Sequence, residues 1–263
     1  MTASTLRQFA ADYAAHRQAE GRAYTGEALL ALPHVRTGPL ARQWAVRSGT
    51  FGSFMRLLGP AAGRPLEVLD LGAGNGWLSY RIAQADHRAT ALDIREDEVD
   101  GLGAAGPFIQ RSGGRMRTLV APFEAIPAPR ASFDLAVFNA SLHYATDLAA
   151  VINEAARVVR PGGRLVILDS PFYRREADGL AMVAEKTAAA PERFGERSGS
   201  LMALPFIEFL TRDRLAAASA NIGLSWRRRR VLYPLWYELR PLTAVLRGGR
   251  PPSRFDLWIG ARP

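Results

Sequence analysis

From residue 66 onward, apolar positions follow two rhythms in turn, one with the period of a strand and one with the period of a helix. Leu66 to Leu71 is a short, mostly apolar run that holds Asp70 and stops at a glycine cluster. Trp77 to Ala85 then places Leu78, Ile82 and Ala85 on one helical face. Thr90 to Ile94, Arg117 to Ala121 and Phe133 to Phe138 read as three further strands. Leu148 to Val159 carries Leu148, Val151, Ile152, Ala155 and Val159 at helical spacing. Arg160-Pro161-Gly162-Gly163 predicts a helix stop and a turn, because proline and glycine end helices. Arg164 to Asp169 is a fifth strand, continuous in Leu165-Val166-Ile167-Leu168. Short apolar strands alternating with amphipathic helices predict a parallel sheet covered on both faces, an α/β doubly wound fold.

Residues 1–60 read as a helical N-terminal cap and residues 61–263 as the core. A helix near Thr211 to Ala220 and strand candidates Trp226 to Tyr233 and Phe255 to Ala261 complete a mostly parallel, seven-stranded sheet. Residues 172–210 are expected to be an insertion after the fifth strand. Ligands of open α/β sheets bind beyond the carboxyl ends of the strands. The cap and the insertion are therefore expected to supply a lid and a substrate pocket, with surface decoration as the alternative.

Composition narrows the chemistry. The 263 residues carry a net charge of +9, and of 34 basic residues only Lys186 is lysine. The arginine bias, with abundant alanine and glycine, fits a GC-rich coding sequence as well as an anionic substrate or partner. Cysteine is absent, which excludes disulfides, thiolate metal sites and cysteine nucleophiles. No stretch approaches the roughly 20 apolar residues of a membrane-spanning helix, so no membrane partner is expected. Met1 to Ala10 lacks an apolar signal segment, and a cytoplasmic location is expected. The four histidines, at 16, 34, 87 and 143, are scattered, and no metal site is expected.

The glycine loop is the most informative stretch: Glu67-Val68-Leu69-Asp70-Leu71-Gly72-Ala73-Gly74-Asn75-Gly76-Trp77-Leu78. Glycines at 72, 74 and 76 let the backbone turn sharply and approach a ligand, and the helix that follows directs its first N–H groups into the same cleft. In a dinucleotide fingerprint the third glycine comes three positions after the second. Here Trp77 holds that position, which argues against a nicotinamide enzyme. Asp70 ahead of the loop repels a pyrophosphate but suits an ammonium group.

Residues 66–169 resemble a class I S-adenosylmethionine-dependent methyltransferase of the small-molecule, methyltransferase-11-like type. The motifs VLDLGAGNGWLS, ALDI, FDLAVFNASLHY and VVRPGGRLVILD stand in the family's order and spacing. The resemblance implies S-adenosylmethionine as cofactor. Gly72, Ala73, Gly74 and Gly76 would form the loop against its methionine part, and Asp70 would lie beneath its amino group. Asp93, 21 residues after Gly72, would accept both ribose hydroxyls, and Ile94 would lie against the adenine. A helix-capping role is the alternative for Asp93. Where the family has an acid and a small residue after the third strand, this chain has Pro122 and Phe123. Adenine contacts are thereby assigned to Phe123 or Glu124.

Asn139 would line the methyl-transfer site. His143 is the one titratable group of the core motifs suited to act as a general base near neutral pH, with backbone hydrogen bonding and loop shaping as the alternative. Tyr13, Tyr24, Tyr144 and Phe172 are the candidate substrate contacts; the alternative for Tyr13 and Tyr24 is packing of the cap on the core. Trp226 with Arg227 to Arg230 looks like a nucleic-acid patch, but a strand there would split the arginines between two faces. Leu201 to Leu210 is apolar enough to wall a substrate pocket, or to be a buried helix or a dimer contact. Asn139-Ala140-Ser141-Leu142 is not the Asn-Pro-Pro-aromatic turn used on DNA bases. The expected activity is methyl transfer to a small molecule, at oxygen. The rivals are an RNA or protein methyltransferase and a non-catalytic cofactor-binding relative.

Overall fold

The computed structural model describes residues 3–263, so the first two residues of the expected cap lie outside it. Three helices precede the sheet: α1 (Ala3–Ala19), α2 (Gly26–Leu30) and α3 (Ala41–Leu58). Strand and helix then alternate through β1 (Glu67–Leu71), α4 (Trp77–Gln84), β2 (Arg88–Asp93), α5 (Gly106–Arg111), β3 (Met116–Val120), β4 (Phe133–Asn139), α6 (Leu148–Val158) and β5 (Val159–Leu168). After β5 come α7 (Glu176–Phe194), α8 (Ser198–Leu201), α9 (Arg212–Ser219), β6 (Ser225–Arg229), α10 (Leu235–Glu238), α11 (Arg240–Leu246) and β7 (Leu257–Ala261).

The seven strands form one sheet in the order β3-β2-β1-β4-β5-β7-β6. The first five are parallel, with Leu69 opposite Thr90 on one side and Ala136 on the other. β7 enters antiparallel, Val166 facing Ile259, and β6 pairs with it along the edge. The strand order reverses between β1 and β4, which is where open sheets of this kind open a ligand crevice.

Alternation along the strands builds a core on each face. Val68, Leu135, Val137 and Val166 point to the face covered by Trp44, Phe54, Ile82 and Phe108 from α3, α4 and α5. Leu69, Ala136, Phe138, Leu165 and Ile167 point to the face covered by α6 and α9, through Val151, Ile152, Ala155 and Leu215. Two side chains start those helices. Asp147 accepts the Ala150 N–H at 3.0 Å, and Thr211 accepts the Arg214 N–H at 3.1 Å, each satisfying an otherwise orphaned helix donor.

Two local expectations are corrected. Arg160-Pro161-Gly162-Gly163 does not turn the chain out of the sheet; it lies inside β5, with Val159 already paired to Phe133. Gly162 takes φ +75° and the register shifts between Phe133 and Leu135, so a bulge absorbs the irregular residues. The same stretch is tied to the chain end, where Gly162 N–H donates to Arg262 O at 3.1 Å and Arg262 N–H to Gly163 O at 3.0 Å. The sixth strand ends at Arg229 rather than Tyr233, because Tyr233 turns inward and its hydroxyl donates to Phe255 O at 2.7 Å.

Candidate functional site

The glycine loop leaves β1 at Leu71 and is held to β2 by Gly72 and Ala73 N–H groups donating to Leu92 O at 2.8 and 3.0 Å. Gly72 has φ +72°, and a Cβ there would collide with the Cβ of Ser141. Gly76 has φ +79° at the start of α4, where a Cβ would stand 2.5 Å from Met116 Cε. Just ahead of that helix Asn75 Oδ1 accepts the Trp77 N–H at 3.2 Å. These contacts keep the loop folded low over the sheet and leave a cleft above it.

That open cleft, about 1040 Å³ with the space open to solvent counted in, is floored by Gly72, Ala73, Gly74, Asp93, Ile94 and Asn139. Phe123 and Glu124 form one wall, and Tyr13 and Tyr144 close another side. Asp93 ends β2 with its carboxylate held firmly: Oδ2 accepts the Gly74 N–H at 2.8 Å and Oδ1 the Arg95 N–H at 2.9 Å. Each oxygen keeps a second lone pair. Beside it Ile94 is 37% exposed, a large apolar side chain open to the cleft.

Two expected cofactor residues lie beneath this surface rather than on it. Gly76 is covered by Met116 and Ala91, because its missing Cβ lets α4 pack closely on the sheet. Asp70 is fully buried, with Oδ2 accepting the Ser79 hydroxyl at 2.9 Å and Oδ1 without a hydrogen-bond partner. Burial pushes its carboxyl up to about 7, and the neighbouring Asp93 charge adds to the shift.

The roof comes from the cap and from the segment after β5. Leu6 and Phe9 of α1 meet Leu204 and Phe206, and Phe9 packs with Leu201 and Leu204 in a small apolar cluster of its own. Arg17 of α1 donates from Nε to Asp100 Oδ2 at 2.7 Å, and Tyr13 is hydrogen-bonded to Tyr144 at 3.0 Å. Arg95, bonded to Asp97 and to Asp100 O, stacks its guanidinium 4.9 Å from the Tyr13 ring centre. Arg17, Arg47, Arg95 and Asp100 are cleft residues that carry no local sequence motif.

A second chamber of about 1060 Å³ adjoins the cleft and shares Tyr13, Arg17, Arg47, Ala140 and Tyr144 with it. His143, Asp169, Trp236, Tyr237 and Arg240 complete most of its lining. Ala140 and Asp169, the residues that follow β4 and β5, have φ +57° and +49°, so left-handed turns at both strand ends open this space. Burial, and then the charges of Lys186 and Arg47, push the His143 imidazole down to about 3. Its Nδ1 is buried without a partner, and its carbonyl accepts the Glu208 N–H at 3.0 Å.

Two expected substrate contacts are elsewhere. Tyr24 is drawn into the core of the cap, its hydroxyl accepting the Trp44 indole N–H at 2.6 Å. Phe172 is buried against Trp258 of β7, the rings stacked at 4.6 Å, and lines neither space. The basic run after Trp226 is partly neutralised: Arg228 bonds Asp256 at 2.7 Å and Arg230 bonds Glu238 at 3.2 Å. Trp226 itself donates to Ser219 Oγ at 2.9 Å and packs inward.

Among the described residues, no helix is long and apolar enough to cross a membrane. Residues 69–167 match the methyltransferase domain family. Over 120 residues the chain is 38% identical to the 27-O-demethylrifamycin SV methyltransferase of Amycolatopsis mediterranei, covering 45% of this chain and 43% of that protein. Over 148 residues it is 30% identical to the ubiquinone/menaquinone biosynthesis C-methyltransferase of Methylobacterium nodulans, covering 55% and 54%. The chain spans about half of these relatives' lengths. Among solved structures it is similar to the geranyl diphosphate C-methyltransferase of Streptomyces coelicolor A3(2), with a TM-score of 0.59, 15% identity, and 89% of this chain and 88% of that one covered. It is likewise similar to the 1,6-didemethyltoxoflavin-N1-methyltransferase of Burkholderia thailandensis, with a TM-score of 0.58, 19% identity, and 100% and 91% covered. At such identities the structural likeness establishes the fold alone. Residues 69–167 thus match the methyltransferase domain family, and this part of the chain is similar in sequence to methyltransferases that act on small molecules.

Proposed function

We propose that the protein transfers a methyl group from S-adenosylmethionine to an oxygen of a small molecule, with the cofactor in the glycine-loop cleft and the acceptor in the second chamber. The observation that carries this reading is Asp93: a carboxylate fixed by two backbone N–H groups, facing the cleft, with one lone pair on each oxygen left for a ribose diol. Glycine at 72 lets Ser141 and Phe123 close in beside the loop, since any side chain there meets Ser141, and so shapes the cleft edge where a methionine-like chain would lie. Asp70, fully buried under the loop with Oδ1 unpaired, offers an acceptor to an ammonium group that reaches beneath the loop. Ile94 and Phe123 offer apolar faces to a purine.

S-adenosylmethionine held in the cleft would supply an electrophilic methyl to the acceptor oxygen, with S-adenosylhomocysteine as the leaving group and the acceptor's proton passing to solvent. The chain's part is alignment, which dominates such displacements. Asn139 and Tyr144 stand on the boundary of the cleft, and Tyr144 borders both spaces. His143 lies on the chamber wall but stays neutral and weakly basic, so we assign it to shaping the loop after β4 rather than to proton removal. The chamber, lined by residues of the cap, the core and α10–α11, is a concave space of the kind that takes a small acceptor. The cap and residues 172–210 act together as the lid.

Calorimetric titration of the protein with S-adenosylmethionine, S-adenosylhomocysteine and NADH tests the cofactor. Micromolar binding of the two sulfur nucleosides without NADH is expected, and failure of both to bind overturns the reading.

A further inference from the structure

The second chamber is unusual in its charge. Five arginines line it, Arg17, Arg22, Arg42, Arg47 and Arg240, against a single acid, Asp169. Two of them are satisfied within the protein. Arg17 is bound to Asp100 at 2.7 Å, and Arg22 to Glu20 at 3.1 Å and to Gln43. Of the other three, Arg47 has only long polar contacts, Arg42 is open to solvent, and Arg240 is half-buried.

Arg47 is largely buried, with 14% of its side chain exposed, yet its polar contacts are long: 3.5 Å from Nε to Asp169 Oδ2 and 3.4 Å from Nη2 to Asn139 Oδ1. Its Nε makes no hydrogen bond. The guanidinium is positioned instead by ring faces, 4.8 Å from Trp44 and 5.5 Å from Trp77. A buried cation held by aromatic rings and lacking tight acceptors is short of a negative partner. Arg42 and Arg240 lie over the rings of Trp236 and Tyr237, at 5.7 and 4.6 Å, and among the described residues neither has a carboxylate partner. Trp236, Tyr237, Phe255 and Tyr144 put flat apolar faces into the same space.

We propose that this chamber receives the methyl acceptor as an organic anion with a flat ring, its acidic group met by Arg42 and Arg240 and its reacting oxygen by Arg47. The assignment rests on the reading of the adjoining cleft as the cofactor site. It also accounts for the absence of a strong base along the shared wall. A reacting oxygen that gives its proton to solvent as it binds beside Arg47 has none to lose in the transfer itself, and its charge and that of the sulfonium cancel as the O–C bond forms and the C–S bond breaks. A guanidinium beside the reacting oxygen keeps it ionised and fixes its direction.

The test compares acids with their methyl esters: 4-hydroxybenzoate and salicylate against methyl 4-hydroxybenzoate and methyl salicylate. Each is titrated calorimetrically into the full-length protein saturated with S-adenosylhomocysteine. At least one acid is expected to bind at least tenfold tighter than its ester. In the Arg42→Ala/Arg240→Ala variant that acid is expected to weaken at least fivefold, with the ester and S-adenosylhomocysteine unchanged. Esters that bind as well as acids, acids that keep their affinity in the variant, or no binding by either acid would each overturn the proposal. Loss of S-adenosylhomocysteine binding in the unmodified protein would instead overturn the cofactor reading, while the preference for acid over ester, measured without it, still reports on the chamber.

Discussion

The hydroxyls of Tyr13 and Tyr144 meet at 3.0 Å, with their rings edge-on and 5.8 Å apart, and this pair joins the N-terminal helix to the loop after β4. Both residues border the cleft and the chamber, so the contact stands where a cofactor and an acceptor would face each other. Burial, with the Tyr13 hydroxyl beside it, holds the Tyr144 hydroxyl in its protonated form far above neutral pH. The bond is thus a neutral one, contributing about 1 kcal/mol. Tyr13→Phe is expected to lower S-adenosylhomocysteine affinity about fivefold with the fold intact. Calorimetry alongside circular dichroism measures both, and an unchanged affinity would show that α1 does not close the site.

Asp93 has two duties, and they can be separated. Asp93→Ala removes a charged acceptor from the cleft and leaves the Gly74 and Arg95 N–H groups unpaired. S-adenosylhomocysteine affinity is expected to fall at least tenfold, with a loss of about 1–3 kcal/mol in stability. Asp93→Asn retains one acceptor and is expected to recover most of the stability but little of the affinity. Thermal melts and calorimetry on both variants make the comparison; equal affinities in all three proteins would remove Asp93 from the binding site.

Much of this site was legible in the sequence because its chemistry is local. Asp93 and the glycines sit at strand ends, where a short apolar run and a change of period fix their place. Arg47 and Arg17 were invisible, because they lie on cap helices whose orientation depends on distant packing against Trp77 and Asp100. Tyr24 and Phe172 lie away from both spaces for the same reason: each packs on a tryptophan, Trp44 or Trp258, that no local pattern announces. At Arg160–Gly163 the helix does stop, at Val158, but the expected turn gives way to a strand held by Phe133 and the chain end.

His143 makes a prediction about acid. Its folded value near 3 lies below the ordinary 6.5, so the unfolded chain binds a proton that the folded protein refuses. Stability from this group therefore rises with pH between those values and is complete above 6.5. Between pH 8 and pH 5 the native protein is expected to lose about 2 kcal/mol that a His143→Gln variant does not lose. Urea unfolding at the two pH values checks it. Where turnover can be followed, the same variant is expected to leave the pH profile between 6 and 7 unchanged; an inflection near 6.5 that disappears with His143 would restore it as a base.

Asp70 gives the opposite dependence and a sharper test of the cofactor's orientation. Its carboxyl, raised to about 7 by burial, carries a proton in the free protein at pH 6 and has lost it by pH 8. The folded state then holds a proton that the unfolded chain releases above 3.8, so the stability contributed by this group declines as pH rises toward 7. An ammonium group at the unpaired Oδ1 favours the ionised carboxylate. Affinity for S-adenosylhomocysteine is therefore expected to rise about tenfold from pH 6 to pH 8. At pH 6, titrations in buffers of different ionisation enthalpy are expected to register close to one proton released. Asp70→Asn, which cannot ionise, is expected to bind more weakly, with no proton release and a flat profile across this range. Proton release that persists in the variant would place the ammonium group away from Asp70.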